Sequence, residues 1–111
     1  MSTVTRTRTV VVVGTRPRMT PAEALGDVQP GETAAVFVLG LDPSAGQRRF
    51  TDDALAMASG RRIELTAELI PAPTWLAERL QNGDEVRVVA RPREARRWRI
   101  RPGSVVSAPG A

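Results

Sequence analysis

Four features of this 111-residue chain could do chemistry, and geometry or a missing partner limits three of them. The acid pairs Asp52/Asp53 and Asp84/Glu85 offer carboxylates for proton transfer or for a cation. Neighbouring carboxylates on one helix or strand point apart, so each pair makes a poor joint ligand. Asp52 and Asp53 read instead as first-turn acids of a helix, and Asp84 and Glu85 as turn acids. Ser44, in Gly40-Leu-Asp-Pro-Ser-Ala-Gly46, has no base to activate it, because the chain contains no His and no Lys. The same absence of Lys rules out a phosphate loop of the Gly-Lys-Ser/Thr type. With no Cys there is no thiol nucleophile, no disulfide framework and no zinc finger. The expectation is a non-enzymatic protein with no cofactor and no metal.

The fourth feature is arginine. Residues 1–20 carry Arg6, Arg8, Arg16 and Arg18 and no acid; residues 21–86 carry five arginines against eleven acids; residues 87–111 carry seven arginines against Glu94 alone. The blocks are therefore +4, −6 and +6, for an overall +4 and an isoelectric point near 11.4. Arg87, Arg91, Arg93, Arg96, Arg97, Arg99 and Arg101, with Trp98 among them, could track phosphates beside an aromatic platform. They could equally dock on an acidic protein surface. Alternation weakens the phosphate reading: if Arg97, Arg99 and Arg101 face outward, Trp98 and Ile100 face a core, and a buried indole stacks no base. Docking is then favoured, with a solvated arginine face as the other alternative. Segregated charge also lets copies of one chain meet through matched patches. The candidate partner-binding residues are Arg6, Arg8, Arg16, Arg18, Arg91, Arg93, Arg96, Arg97, Arg99 and Arg101.

The elements that must position these residues read as short strands. Residues 3–13 are largely β-branched and form an N-terminal strand or arm, with the Val10–Val13 run buried on both sides. Residues 14–32 are a long connection in which Thr20-Pro21-Ala22-Glu23 has capping-box spacing for one helical turn. Residues 33–41 are the most hydrophobic run and read as a central strand. Asp42 to Gly46 is a turn, and Thr51 caps a two-turn helix ending at Gly60. Ile63, Leu65, Ala67 and Leu69 alternate with Arg62, Glu64, Thr66 and Glu68, a strand with one dry face. Trp75 to Gln81 is a short helix stopped at Asn82-Gly83. Strands follow at 86–91 and 97–101, joined by a hairpin, and a last short strand at 104–107. The predicted fold is mostly β: a single domain, residues 1–111, forming a small five- to six-stranded barrel or sandwich. It has one or two short helices, a long loop after the first strand, and a barrel core over 33–107.

The succession Arg62-Ile63-Glu64-Leu65-Thr66-Ala67-Glu68-Leu69-Ile70-Pro71, then Asn82-Gly83-Asp84-Glu85-Val86-Arg87-Val88, then Arg97-Trp98-Arg99-Ile100, resembles the head-to-tail stopper (head-closure) proteins of long-tailed phages. The resemblance implies a small barrel whose copies form a ring in the virion between a portal-side connector and the tail. Its implied partners are copies of itself and neighbouring connector or tail proteins. The alternative is a basic β-barrel that binds single- or double-stranded nucleic acid. No apolar run approaches the ~18 residues of a membrane span, and the polar N-terminus lacks a secretory signal. The expected location is the virion if the resemblance holds and otherwise the cytoplasm, with no membrane partner.

Overall fold

The computed structural model describes residues 8–72, 74–89 and 97–99. Its elements alternate: β1 (Thr9–Val13), α1 (Pro21–Leu25), β2 (Thr33–Leu39), α2 (Ala45–Arg61), β3 (Glu64–Ile70), α3 (Thr74–Arg79), β4 (Glu85–Val89) and β5 (Arg97–Arg99). One sheet holds all five strands in the order β3-β2-β1-β4-β5. β1 pairs parallel with both β2 and β4, β2 pairs parallel with β3, and β5 runs antiparallel to β4. This is an α/β domain, not the mostly β barrel or sandwich predicted from the sequence.

The central strands show why the sheet is parallel and doubly covered. Val10 and Val12 point into one apolar layer with Ala35, Phe37, Ile70, Leu76, Val86 and Val88. Val11 and Val13 point into the other, with Leu25, Val36, Val38, Phe50, Ala54 and Val89. A strand buried on both faces reads as an unbroken apolar run, which is what β1 and β2 are. Parallel neighbours need crossover connections, and α1, α2 and α3 supply them. α1 and α2 cover one face and α3 the other.

α2 is where the sequence reading and the structure part most. The helix does not start at Thr51. Ser44 caps it, its hydroxyl accepting from Gln47 N at 3.2 Å while Gln47 Oε1 accepts from Ser44 N at 2.8 Å. Of the residues read as a turn, Ser44 is the cap and Ala45 and Gly46 open the first turn, so Gly46 and Gly60, read as breakers, lie inside a 17-residue helix. Gln47, Phe50, Ala54 and Ala58 form its buried stripe at helical spacing. The helix ends at Arg62, whose left-handed φ of 58° lets its N–H close back on Ala58 and Ser59. The predicted capping box at α1 is present: Thr20 Oγ1 accepts from Glu23 N, and Glu23 Oε1 accepts from Thr20 N.

β3 forms an edge of the sheet, so its alternation comes from half-exposure rather than from a barrel wall. The 14–32 connection is the β1–β2 crossover. Among the described residues, no helix is long and apolar enough to cross a membrane.

Candidate functional site

The chain leaves β1 toward α1 on one face and reaches β4, on the other side of β1, through α3 on the opposite face. The connections therefore diverge between β1 and β4. In open parallel sheets, ligands bind outside the carboxyl ends of the strands at such a divergence. Here Gly14 follows β1 directly, and its N–H donates to Val89 O at 2.9 Å, so the ends of β1 and β4 are level.

The loop that follows is fastened from below. Gln47, buried at 1% exposure, donates from Nε2 to Val13 O at 3.0 Å and to Leu39 O at 2.8 Å. One amide thus ties the carboxyl ends of β1 and β2 to the first turn of α2. Ser44 Oγ donates to Thr15 O at 2.7 Å, and Pro17 packs against Gly46, where a Cβ would lie 3.4 Å from Pro17 Cδ. Thr15, Arg16 and Arg18 stand exposed on this anchored loop. Arg49 follows Gly46 by three residues, one helical turn along the flank that Pro17 touches.

The arginines of the described residues fall into two groups. Arg8 donates through Nε and Nη2 to the Asp84 carboxylate at 3.0 and 3.1 Å, and its guanidinium lies 5.5 Å from the Phe37 ring centroid. Arg48 pairs with Asp42 at 3.3 Å, Arg79 with Glu68, and Arg61 donates to the carbonyls of Leu25, Gly26 and Val28. Arg87 is buried, with 5% of its side chain exposed, and donates to Asp27, to Glu85 and to the Ala24 carbonyl. Burial works to lower the Arg87 pKa, but its hydrogen bonds to Asp27 and Glu85 outweigh burial and raise it above the ordinary guanidinium value. The side chains of Arg16, Arg18, Arg49 and Arg62 have no ion pair or hydrogen bond among the described residues. Arg62 lies at the far end of α2; the other three sit at the carboxyl edge.

Of the candidates taken from the sequence, Arg16 and Arg18 are therefore brought to one open edge, and Arg8 is committed to Asp84 instead. Arg97 and Arg99 lie in β5, in register with Arg87 and Glu85, and Trp98 is in register with Val86. Arg6, Arg91, Arg93, Arg96 and Arg101 lie outside the described residues, as do the predicted barrel strand at 104–107 and residues 3–7 of the N-terminal arm. Arg87, read as one of the outward residues of a basic hairpin, is instead beneath the α1 loop, because β4 is covered on both faces.

Sequence reasoning missed three residues. Asp84 was read as a turn acid, but it is 1% exposed and accepts from Arg8 and from Gln81 N at 2.7 Å. Gln47 was overlooked, although Gln three positions after a Pro-Ser pair is the capping-box signal. Arg49 had no signal apart from its place on α2. Asp52 and Asp53 are exposed on the second turn of α2. A cleft of about 340 Å³ opens elsewhere, between α2 and β3, lined by Val38, Pro43, Thr51, Ala67 and Leu69 among others.

The chain matches no protein-family model, no curated protein and no solved structure.

Proposed function

We propose that this protein is a non-enzymatic module that binds the phosphate backbone of nucleic acid at the carboxyl edge of its sheet, through Arg16, Arg18 and Arg49. The observation that carries this reading is the division among the arginines. Among the described side chains elsewhere, Arg8, Arg48, Arg61, Arg79 and Arg87 are spent on internal partners and Arg62 is free, while three are left unpaired at the edge where the topology diverges. Anchoring by Ser44, Gln47 and Pro17 holds the loop in place, which lowers the ordering cost of binding. The N-terminal end of α2, at the same edge, adds positive potential.

Exposure favours a polyanion over a small ligand, since small-molecule sites are concave and mostly apolar. Phe37 and Phe50 are buried, so neither can stack a base. With no His, Cys or Lys, binding rather than catalysis fits the residue set. The role belongs in a compartment that holds nucleic acid, cytoplasm or virion. A labelled DNA duplex titrated by fluorescence anisotropy tests it: binding at low salt that weakens steeply as salt rises is expected. Absence of binding at low salt would refute it.

Docking between copies, the other expectation from the charge blocks, is a second reading. What favours self-association is the open edge of β3 rather than the charge blocks, and it does not require a barrel.

A further inference from the structure

Among the described residues β3 has a strand partner on one side only; Glu64 N–H and Ile70 O turn toward the β2 side, so the backbone groups of Leu65, Ala67 and Leu69 form the open edge. Four large apolar side chains are markedly exposed among the described residues, and three gather here. Leu69 is on β3 and 42% exposed. Leu55, 40% exposed, lies one turn beyond Thr51 on the flank of α2 that faces the cleft beside β3. Leu41, 83% exposed, follows Gly40, whose N–H donates to Ile70 O at the end of β3. Natural edges usually avoid such exposure.

The order of residues along β3 selects what can cover it. Consider two copies of β3 antiparallel about a two-fold axis normal to the sheet. An axis at Thr66 sets Glu64 directly opposite Glu68 twice, which like charge disfavours. An axis at Leu65 leaves most of each strand without a partner strand. An axis at Ala67 pairs all seven residues. Leu65 then lies opposite Leu69 and Ala67 opposite itself on the α2 face, while Glu64 lies opposite Ile70 and Glu68 opposite Thr66 on the α3 face. The two Glu68 carboxylates are diagonal neighbours in this register, and each is already neutralised by its own Arg79. This register avoids direct opposition of like charges and sets exposed Leu69 against Leu65.

From this self-complementarity we infer that the partner of the β3 edge is a second copy of this chain, paired antiparallel about Ala67 into a continuous ten-stranded sheet. The contact is isologous and closes at two copies. It rests on main-chain hydrogen bonds and leucines, so raised salt leaves it intact, unlike docking by charge blocks. It is independent of the carboxyl edge.

The chain has no Cys, so one introduced cysteine reports unambiguously. Directly opposed residues in antiparallel strands have Cα atoms roughly 4.5–5.5 Å apart, within disulfide reach. Ala67→Cys is therefore expected to give a covalent dimer under mild oxidation, whereas Thr66→Cys and Leu69→Cys are not. Analytical ultracentrifugation of the unmodified chain should show a dimer at both low and high salt, and Ala67→Lys, checked for folding by circular dichroism, should be monomeric. If Ala67→Lys fails to fold, the cysteine pattern decides alone. A monomer throughout the micromolar range, an assembly larger than two, or cross-linking at Leu69→Cys but not at Ala67→Cys would each overturn the inference.

Discussion

Arg8 and Asp84 meet across 76 positions of sequence, the guanidinium Nε lying 3.0 Å from Oδ1. One residue stands just before β1 and the other just before β4, and Arg8 O also accepts from Glu85 N at 3.1 Å. The amino ends of the two strands flanking the divergence are thereby locked in register. The carboxyl ends are locked by Gly14 and Val89.

Removing one partner of that pair strands the other. Asp84→Asn is expected to cost about 3 kcal/mol, the range for breaking a largely buried ion pair. Only 2% of the Asp84 side chain is exposed, against 17% for Arg8. A double-mutant cycle with Arg8→Met, read by urea denaturation, should return a coupling of about 1 kcal/mol or more. A coupling near zero would show the pair to be incidental.

Arg87 bears on pH. Its folded pKa is raised, so the stability it contributes is fully present below the ordinary guanidinium value and is lost only as pH rises through the folded one. Between about pH 6 and about pH 10, Arg87 therefore adds no slope to stability. Asp27→Ala removes one of its carboxylates; because Asp27 is 59% exposed and Arg87 keeps Glu85, the cost should be about 1 kcal/mol. Thermal melts of both proteins across that range should show a constant offset.

The length of α2 has a direct test. Thr51 lies in its interior, with Oγ1 donating to Gln47 O at 2.8 Å. Thr51→Pro should cost about 3 kcal/mol or more and lower helical circular dichroism. A helix that began at Thr51 would tolerate the change.

Gly26 is a second backbone test. A Cβ there would lie 2.6 Å from Ala22 O. Gly26→Ala should destabilise the domain by about 1–3 kcal/mol, since backbone has to move. A thermal midpoint unchanged from the parent would contradict the packing of α1.

The strands were legible and their partners were not. Val10 to Val13 announced a doubly buried strand, and Glu64 to Ile70 a half-exposed one, because burial writes itself into the side-chain pattern. What separates a barrel from a parallel sheet is the crossover, and the crossovers here are poorly marked. α1 and α3 have only five and six residues. α2 carries Gly46 and Gly60 inside it and buries little beyond Ala54, Ala58 and Phe50, so its apolar stripe is faint. Taking the helices as incidental left hairpins as the default connection, and Arg87 then fell on a surface. At the site, Arg16 and Arg18 were visible as charge, but their freedom was not. Only the placement of Asp84, Asp27 and Glu68 shows which arginines are already engaged.

The central claim is that Arg16 and Arg18 meet phosphates, and the salt dependence of duplex binding measures that most directly. Each phosphate contact contributes roughly 0.9 to the slope of log affinity against log salt. Arg16→Ala/Arg18→Ala should therefore flatten the slope by about 1.8 and weaken binding, with thermal stability unchanged because both side chains are exposed. A double variant with the parent's slope and affinity would contradict the account.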